Sequence, residues 1–264
     1  MEVMNPNADY GNWVPAKMLR ASGILSAAGF TCCAAGAFTG NAALAIPCIA
    51  IGTAGLCFTV YMKKCSNLFD FKKGGMMGKM HEYLLEHLIW NGKGRILDIG
   101  CGAGALTLRC AKRYPNAQLT GVDYWGAEWN YAKEQCERNS KIEGAEKRVK
   151  FCKGDAAHLE FPDGAFDAVV SNFVFHEVRS AKDKQDVVRE ALRVVKKGGS
   201  FAFQDMFSQK AIYGDIAEFV RKLKTEGISK IHYIGNVEKK VDFVPKYARA
   251  PWMISGVGIL YGTK

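Results

Sequence analysis

One long stretch of this 264-residue chain has no charge at all. From Ala21 to Met62, 42 consecutive residues include no Lys, Arg, Asp, Glu or His. Residues 1–20 carry two acids and two bases, so the formal net charge of +10 belongs wholly to residues 63–264. Those residues form the soluble part of the chain, and the uncharged stretch needs a separate explanation.

Cysteine and histidine show no pattern typical of a metal site or a disulfide framework. The nine cysteines include no C-x-x-C pair and no metal-ligand spacing with the five histidines. A chain of this length that is 48% hydrophobic and 23% charged buries a full core without disulfides, and is neither disordered nor fibrous. We therefore expect reduced thiols, no metal, and one domain of catalytic size with an appendage.

The uncharged stretch is too long for one membrane crossing and fits two. As a single helix it would measure about 63 Å, twice the roughly 30 Å of a bilayer's hydrocarbon core. We predict helices at 21–39 and 46–62, joined by residues 40–43, with Pro47 in the first turn of the second helix. Small residues recur four positions apart in both helices, which favours a tight hairpin and a possible homo-oligomer.

Basic residues flank the uncharged stretch on both sides. Lys17 and Arg20 precede it, Lys63 and Lys64 follow it, and its central turn has no charge. The positive-inside rule therefore predicts that both ends are cytoplasmic. The predicted organisation is an interfacial segment at 1–20, a two-helix transmembrane hairpin at 21–62, a basic juxtamembrane linker at 63–80 and a catalytic domain at 81–264.

Two other interpretations of the uncharged stretch stay open. One is a helical pair buried in a soluble protein, and the other is a signal peptide cleaved after the Ala-Leu-Ala at 43–45. The signal peptide fits poorly, because a second apolar run follows the cleavage site at once. The five lysines of residues 63–79, set against Asp70 alone, are explained either by attraction to anionic lipid or by simple solvation.

Apolar runs and helical periods alternate from residue 76 onward, which predicts an α/β fold with a mostly parallel sheet. In chain order we predict helix 76–90, strand 95–99, helix 105–114, strand 118–123, helix 127–139, strand 149–153, strand 166–171, helix 184–195 and strand 200–204. A helix around 212–223 and strands at 230–234 and 252–262 follow. The last two strands leave no room for a crossover helix, so we expect them to pair antiparallel.

The first predicted strand ends in a glycine-rich turn. Residues 98–104 read D-I-G-C-G-A-G and enter a helix, so the backbone amides can approach a ligand closely. A loose G-x-G-x-x-A dinucleotide-binding pattern also fits here, through Gly100, Gly102 and Ala105. The turn alone therefore does not decide between two classes of cofactor.

The motifs around this turn give the chain a specific resemblance. G-V-D at 121–123 ends the second strand, G-D-A at 154–156 ends the third, F-D-A-V-V-S at 166–171 forms the fourth, and R-V-V-K-K-G-G at 193–199 precedes the fifth. With these motifs in register, residues 94–207 resemble the class I S-adenosylmethionine (SAM)-dependent methyltransferases, in the branch of quinone C-methyltransferases and other small-molecule methyltransferases. The resemblance implies a Rossmann-like seven-stranded sheet with an antiparallel terminal pair.

The resemblance also implies a cofactor-binding set. It consists of Asp98, Gly100, Cys101, Gly102, Gly104, Asp123, Tyr124, Trp125, Asp155, Ala156 and Asn172. The 98–104 turn would hold the methionine part of SAM, Asp123 the two ribose hydroxyls, and Asp155 with the Ala156 amide the adenine edge. Trp125 would pack on adenine or else cap the core. Cys101 needs only to be small, and we do not expect it to act as a nucleophile.

Candidate catalytic residues follow the fourth and fifth strands. His176 comes just beyond the carboxyl end of strand four, where ligands collect in open α/β sheets. It is the best candidate for a general base, because imidazole can deprotonate a phenol, thiol or amine near neutral pH. The alternative is a structural role, in which His176 begins a helix and forms a hydrogen bond with the backbone. Asp205 and Tyr213 are candidates that face the acceptor, against purely structural roles in their loops.

Together these features predict a membrane-anchored SAM-dependent methyltransferase that acts on a small, lipophilic acceptor at the cytoplasmic face. Whether O, S, N or C is methylated is left open. Residues 171–174 depart from the Asn-Pro-Pro-Tyr motif of nucleic-acid and glutamine methyltransferases, and the chain shows no recognised RNA-binding module, so nucleic acid is not an expected partner. The alternatives are a SAM-binding membrane protein without turnover and a soluble methyltransferase whose helical pair gates the substrate.

Overall fold

The computed structural model describes residues 4–126 and 133–264. The α-helices in these ranges are α1 Ala16–Phe38, α2 Ala42–Phe69, α3 Met76–His87, α4 Ala105–Arg113, α5 Lys133–Ile142, α6 Lys184–Arg193, α7 Lys210–Tyr213, α8 Ile216–Thr225 and α9 Val237–Lys240. The strands are β1 Gly94–Ile99, β2 Ala117–Asp123, β3 Val149–Lys153, β4 Phe166–Asn172, β5 Val195–Asp205, β6 Lys230–Gly235 and β7 Gly258–Thr263. They form two compact units, one of residues 12–77 and one of residues 4–11 with 78–264.

The unit of residues 12–77 consists of two long helices that pack closely along their length. Asn41 begins α2 by accepting a hydrogen bond from the Leu44 amide on its side chain (3.2 Å). The helix therefore starts earlier than predicted, and Pro47 lies inside it instead of in its first turn. A Cβ atom on Gly29 of α1 would come within 2.7 Å of the Gly52 Cα of α2, so the two backbones touch where both residues are glycine.

The outward surface of this helix pair is apolar. Ile24 is 70% exposed, Ile46 is 67% exposed and Phe38 at the turn is 94% exposed. By length and composition both helices can cross a membrane. The chain itself thus leaves most of this apolar surface uncovered.

A seven-stranded sheet organises the second unit, in the order β3-β2-β1-β4-β5-β7-β6. Strands β1 to β5 are all parallel to one another, while β7 runs antiparallel to both β5 and β6. This confirms the predicted Rossmann-like sheet and its antiparallel end. The carboxyl ends of β1 to β5 meet at one edge, which is where a ligand binds in sheets of this kind.

Alternating residues of the central strands face two different helical layers. Leu97, Phe201 and Phe203 belong to the main apolar core with α6 and α8. The opposite face includes Asp98, whose carboxylate accepts a hydrogen bond from Thr107 of α4. The sheet is thus covered on both faces, as parallel sheets require.

The N-terminal segment 4–11 packs against α5. The Asn5 amide and the Tyr10 hydroxyl both donate to Glu143 Oε1, at 2.8 and 2.7 Å. The side chain of Asn139 donates to the carbonyls of Asp9 (2.6 Å) and Ala103 (3.0 Å), which connects this segment to the glycine-rich turn. Residues 4–11 therefore group with residues 78–264, whereas the sequence predicted one interfacial segment over 1–20; residues 1–3 lie outside the described ranges.

Several predicted boundaries differ from the structure for local reasons. The basic linker is shorter than 63–80, since α2 continues to Phe69 and α3 begins at Met76. The helix predicted around 212–223 is two helices, because Gly214 has a left-handed φ of 63° and the Asp215 side chain caps α8. Of the helix predicted at 127–139, residues 127–132 lie outside the described part of the chain, and α5 starts at Lys133.

The final strand was also predicted too early, at 252. Residues 252–257 form turns in which Trp252 is 71% exposed, and β7 begins at Gly258. Strand β5, by contrast, begins at Val195 instead of Ser200, so Gly198 and Gly199 lie within it. The register of β4 and β5 shifts there, between Phe166 and Ala168, as expected of a bulge.

Candidate functional site

The glycine-rich turn after β1 lies at the ligand-binding edge of the sheet. Gly100, Gly102 and Gly104 all have left-handed φ angles, of 73°, 56° and 84°. The Gly100 amide donates to the Val122 carbonyl of β2 at 2.7 Å, and a Cβ atom on Gly100 would come within 2.1 Å of the Val174 side chain. Position 100 therefore requires glycine for two reasons: its backbone is left-handed, and the Val174 side chain leaves no room for a Cβ atom.

Asp98 lies beneath this turn and is 3% exposed. Its Oδ2 accepts a hydrogen bond of 2.6 Å from the Thr107 hydroxyl. Burial raises the pKa of Asp98 to about 7; the bond from Thr107 opposes this rise and the nearby Asp123 carboxylate adds to it. Because a carboxyl with this pKa is partly ionised at neutral pH, a cationic ligand group beside it would hold it in the charged form.

Asp123 connects the end of β2 to the glycine-rich turn. Its Oδ2 accepts from the Gly102 amide (2.8 Å) and its Oδ1 from the Trp125 amide (2.7 Å). Burial raises the pKa of this carboxyl, against the stabilising bonds from backbone amides. Asp123 is thus held by backbone amides directly beside the Gly102 end of the turn.

Trp125 lies against the same turn. Its indole Nε1 donates to the Gly102 carbonyl at 2.9 Å, and its backbone is left-handed with a φ of 45°. The preceding Tyr124 is 64% exposed, with the Lys153 ammonium 5.4 Å from its ring centroid. The two aromatic residues expected near the cofactor therefore differ in position. Trp125 is hydrogen-bonded to the turn, whereas Tyr124 faces solvent.

Asp155 and Ala156 follow β3, the next strand along the edge. The Asp155 Oδ1 accepts from the Ala157 amide and the Ser180 hydroxyl, both at 2.9 Å. The Gly154 amide donates to the Asp123 carbonyl (2.9 Å), so the ends of β2 and β3 are adjacent. Asp98, Asp123 and Asp155 consequently lie on three neighbouring strands, in the order that an elongated ligand would meet them.

Cys101 is buried within the turn. Burial raises the pKa of its thiol well above the usual value, and the neighbouring Cys136 adds to this effect. A neutral thiol is a weak nucleophile, so the structure favours the packing role expected for Cys101. Among the described residues, no group of three or more His, Cys, Asp or Glu side chains has an arrangement that could hold a metal ion.

His176 and Asp205 form a close pair beyond β4 and β5. His176 Nδ1 lies 2.7 Å from Asp205 Oδ1, and His176 Nε2 lies 3.3 Å from Glu177 Oε1. Burial favours the neutral imidazole, but the two carboxylates outweigh it and raise the pKa of His176 to about 10. The raised pKa favours a protonated imidazole, and a protonated imidazole cannot accept a proton; the role of His176 as a base stays a prediction.

Asp205 and Tyr213 lie deeper than His176, each 1% exposed. The Asp205 carboxylate accepts hydrogen bonds from the backbone amides of Phe175 (2.8 Å) and Met206 (2.6 Å). Burial, with a further contribution from Asp205, raises the pKa of the Tyr213 phenol. The three predicted catalytic residues are thus brought together, but only His176 is partly accessible to a ligand.

A pair of amide side chains completes the edge. Asn172 of β4 and Gln204 of β5 are cross-strand partners, so their side chains share one face of the sheet. Asn172 Oδ1 and both polar side-chain atoms of Gln204 are buried, and no group among the described residues forms a hydrogen bond with them. The sequence predicted Asn172 as a site residue but not Gln204. The sequence feature that could have indicated Gln204 is a polar residue directly after the apolar run F-A-F at 201–203.

Comparison with known proteins gives a family match in the same region. Residues 97–203 match the model of the methyltransferase domain. The sterol 24-C-methyltransferase erg6 of Aspergillus fumigatus is 31% identical over 53% of this chain and 36% of its own length. The demethylmenaquinone methyltransferase of Thermus thermophilus is 38% identical over 40% of this chain and 44% of its own length. The chain thus spans less than half the length of these relatives.

A solved structure shows the same fold. Geranyl diphosphate C-methyltransferase from Streptomyces coelicolor A3(2), in complex with Mg²⁺, geranyl diphosphate and S-adenosyl-L-homocysteine, has a TM-score of 0.52. It is 17% identical, and the match covers 71% of this chain and 79% of that one. The residues described above also fit SAM, since a glycine-rich turn with no room for a Cβ atom at Gly100 lies beside acidic side chains at the ends of three neighbouring strands.

Proposed function

We propose that this chain, which contains a class I SAM-dependent methyltransferase domain, transfers the methyl group of SAM to a small lipophilic acceptor at a membrane surface. The observation that carries this proposal is the combination of a SAM-type edge with an exposed apolar helix pair in one chain. SAM supplies a methyl group activated on a sulfonium, which a correctly positioned nucleophile displaces. The protein's part is therefore binding, orientation and exclusion of water.

Each acidic residue of the edge has a part in holding the cofactor. Asp98, near its titration midpoint at neutral pH, would become fully ionised beside the ammonium of the methionine part. Asp123 has the acceptor capacity for two ribose hydroxyls, and Asp155 with the Ala156 amide would contact the adenine edge. The glycine-rich turn brings backbone amides to the same ligand.

The lipophilic acceptor is supported by two kinds of observation. The relatives named above act, by their names, on sterols and on demethylmenaquinone, which are both lipophilic molecules. Within this chain, Ile24, Phe38 and Ile46 expose large apolar side chains that a soluble protein would bury. A bilayer covers such side chains and also concentrates a lipophilic acceptor.

Membrane anchoring by α1 and α2 is part of the proposal. Lys17 and Arg20 lie at the start of α1, and Lys63 and Lys64 in the final part of α2, while the turn between the helices has no charge. The positive-inside rule then puts both ends, and the methyltransferase domain, on the cytoplasmic side. Each cation near the surface would add about 1 kcal/mol of attraction to anionic lipid.

His176 would act as a fixed cation beside the acceptor and not as a base. Its Nδ1 hydrogen is directed to Asp205, and the raised pKa favours the charged imidazole through the neutral range. This favours acceptors that need no base at the enzyme, or that are deprotonated before they bind. Asp205 and Tyr213 would be positioning residues, because both are buried behind His176.

Two measurements test the proposal on the full chain. Membranes that contain the protein are washed with carbonate and then with detergent; we expect release by detergent alone, whereas release by carbonate would refute the anchor. The detergent-purified protein is then incubated with SAM and a membrane lipid extract. Formation of S-adenosylhomocysteine supports turnover, while SAM binding without that product would favour a binding protein.

A further inference from the structure

Buried amide atoms of Asn172 and Gln204 form a polar cluster for which the described part of the chain provides no hydrogen-bond partners. They supply two hydrogen-bond acceptors, Asn172 Oδ1 and Gln204 Oε1, and one donor, Gln204 Nε2. Gln204 is 0% exposed. Buried polar groups in proteins are almost always hydrogen-bonded, because an unmade bond costs folding stability. An arrangement that leaves three such atoms unpaired on neighbouring strands indicates a ligand.

The strand order places this amide pair on the acceptor side of the cofactor. Asp98, Asp123 and Asp155 follow β1, β2 and β3, which lie on one side of β4. Asn172 ends β4, and Gln204 lies on β5, one strand further from those acids. A cofactor stretched over β1 to β3 therefore reaches Asn172 last and leaves Gln204 to a second molecule.

Helix α3 covers the same face of the sheet. The ring of His87 packs on that of Tyr261, with centroids 4.8 Å apart, and Tyr261 is the cross-strand partner of Ala202. The Ser200 hydroxyl donates to the Ile89 carbonyl, so the chain after α3 lies at the start of this part of β5. These contacts place the carboxyl end of α3 against the face of the sheet that also carries Gln204.

Apolar side chains of α3 are buried on the helical stripe that includes His87. Met80 and Leu84 are each 0% exposed and belong to this stripe. Because methionine adapts to neighbours of different shape, a stripe that contains Met80 can adjust to an apolar molecule.

We propose that Asn172 and Gln204 recognise a hydroxyl group of a neutral, otherwise apolar acceptor, next to the atom that is methylated. This inference rests on the proposed function. A hydroxyl can accept from Gln204 Nε2 and donate its one hydrogen to an amide oxygen, either Gln204 Oε1 or Asn172 Oδ1. An anionic acceptor group fits poorly, because two of the three free atoms are oxygens. The acceptor class is therefore a hydroxylated lipophile such as a phenol, an enol or a sterol-like alcohol.

The test compares Gln204→Met with Gln135→Met in the full chain. Methionine has nearly the length of glutamine without its amide. Gln135 is also buried, but its Nε2 donates to the Asp9 carbonyl at 2.8 Å. Three quantities are measured in detergent: the thermal midpoint, the affinity for SAM, and methyl transfer from labelled SAM to a dilution series of membrane lipid extract.

We expect Gln204→Met to keep or raise the thermal midpoint, to leave SAM affinity within about twofold, and to lower acceptor kcat/KM by at least about tenfold. Gln135→Met, which loses a made hydrogen bond, should lower the midpoint and leave methyl transfer per folded molecule unchanged. Unchanged transfer in Gln204→Met would overturn the inference, as would a matching loss of SAM affinity or a midpoint lowered as much as in Gln135→Met. If the unsubstituted protein forms no S-adenosylhomocysteine, the proposed function fails first, and that result is distinct from all of these.

Discussion

His176 Nδ1 lies 2.7 Å from Asp205 Oδ1, and this contact helps to raise the pKa of the histidine, which burial alone would lower. Asp205 is fixed in turn by the amides of Phe175 and Met206. The imidazole is therefore cationic through the neutral range. The pKa of His176 thus differs from that of a free imidazole, and NMR titration can measure the difference.

The pH dependence of methyl transfer should show no histidine titration between about pH 6 and 8. Burial opposes the charge of His176, but Asp205 and Glu177 raise its pKa from 6.5 to about 10. Stability from this pair is fully present below 6.5 and is lost as pH rises through about 10. A profile of kcat/KM for the acceptor against pH, measured at saturating SAM so that Asp98 stays ionised, checks this prediction. An inflection near 6.5 under these conditions would show that His176 acts as a free base.

Asp205→Asn should return the pKa of His176 toward its ordinary value. The asparagine keeps the shape of the side chain but removes the main charge that stabilises the imidazolium. NMR titration of the His176 ring in both proteins measures the shift, and Glu177→Gln serves as the weaker control because Glu177 lies 3.3 Å from Nε2. Equal titration of His176 in Asp205→Asn and the unsubstituted protein would contradict the assignment of the pair.

The protein without SAM should lose stability as pH rises through about 7. Burial raises the pKa of Asp98 from 3.8 to about 7, so the folded state holds this proton more tightly than the unfolded chain. The contribution is fully present below 3.8 and is lost as pH rises through 7. Asp98→Asn should flatten this dependence in a series of thermal midpoints, and Thr107→Val should extend it to higher pH. A slope unchanged by Asp98→Asn would assign the effect to another group.

The contact between α1 and α2 should not tolerate a large side chain at Gly29. A Cβ atom there meets the Gly52 backbone at 2.7 Å, whereas a Cβ atom on Gly23 of the same helix meets nothing within 4 Å. Gly29→Leu should therefore destabilise the helix pair by about 2 kcal/mol or more, and Gly23→Leu should be close to neutral. Thermal unfolding in detergent compares the two, and equal midpoints would contradict the packing of these helices.

The sheet and the acidic edge could be predicted because their causes are local. Buried parallel strands appear as short apolar runs, and Asp98 and Asp123 stand where such runs end. The break between α7 and α8 was also encoded, by Gly214 followed by the capping Asp215. The prediction of a strand from Trp252 was wrong because Ile254 and Val257 are buried within turns. Hydrophobic periodicity cannot distinguish such turns from a strand.

Properties that depend on long-range contacts were not accessible from the sequence. The pKa of His176 depends on Asp205, 29 residues away, so the sequence supported a neutral base that the structure does not favour. From the sequence Gln204 is an ordinary strand residue; the structure adds that no group in residues 4–126 or 133–264 forms a hydrogen bond with its amide. The packing of residues 4–11 on α5 likewise joins segments more than 100 residues apart.

The most direct test of the account is the destination of the methyl group. Detergent-purified protein is incubated with isotopically methyl-labelled SAM and, separately, with a membrane lipid extract and a soluble metabolite extract, with Asp98→Ala as the inactive control. Mass spectrometry should find the label on a species of the lipid extract, and not in the control. Label found only on a soluble metabolite would contradict the lipophilic acceptor, and the absence of both label and S-adenosylhomocysteine from either extract would contradict catalysis itself.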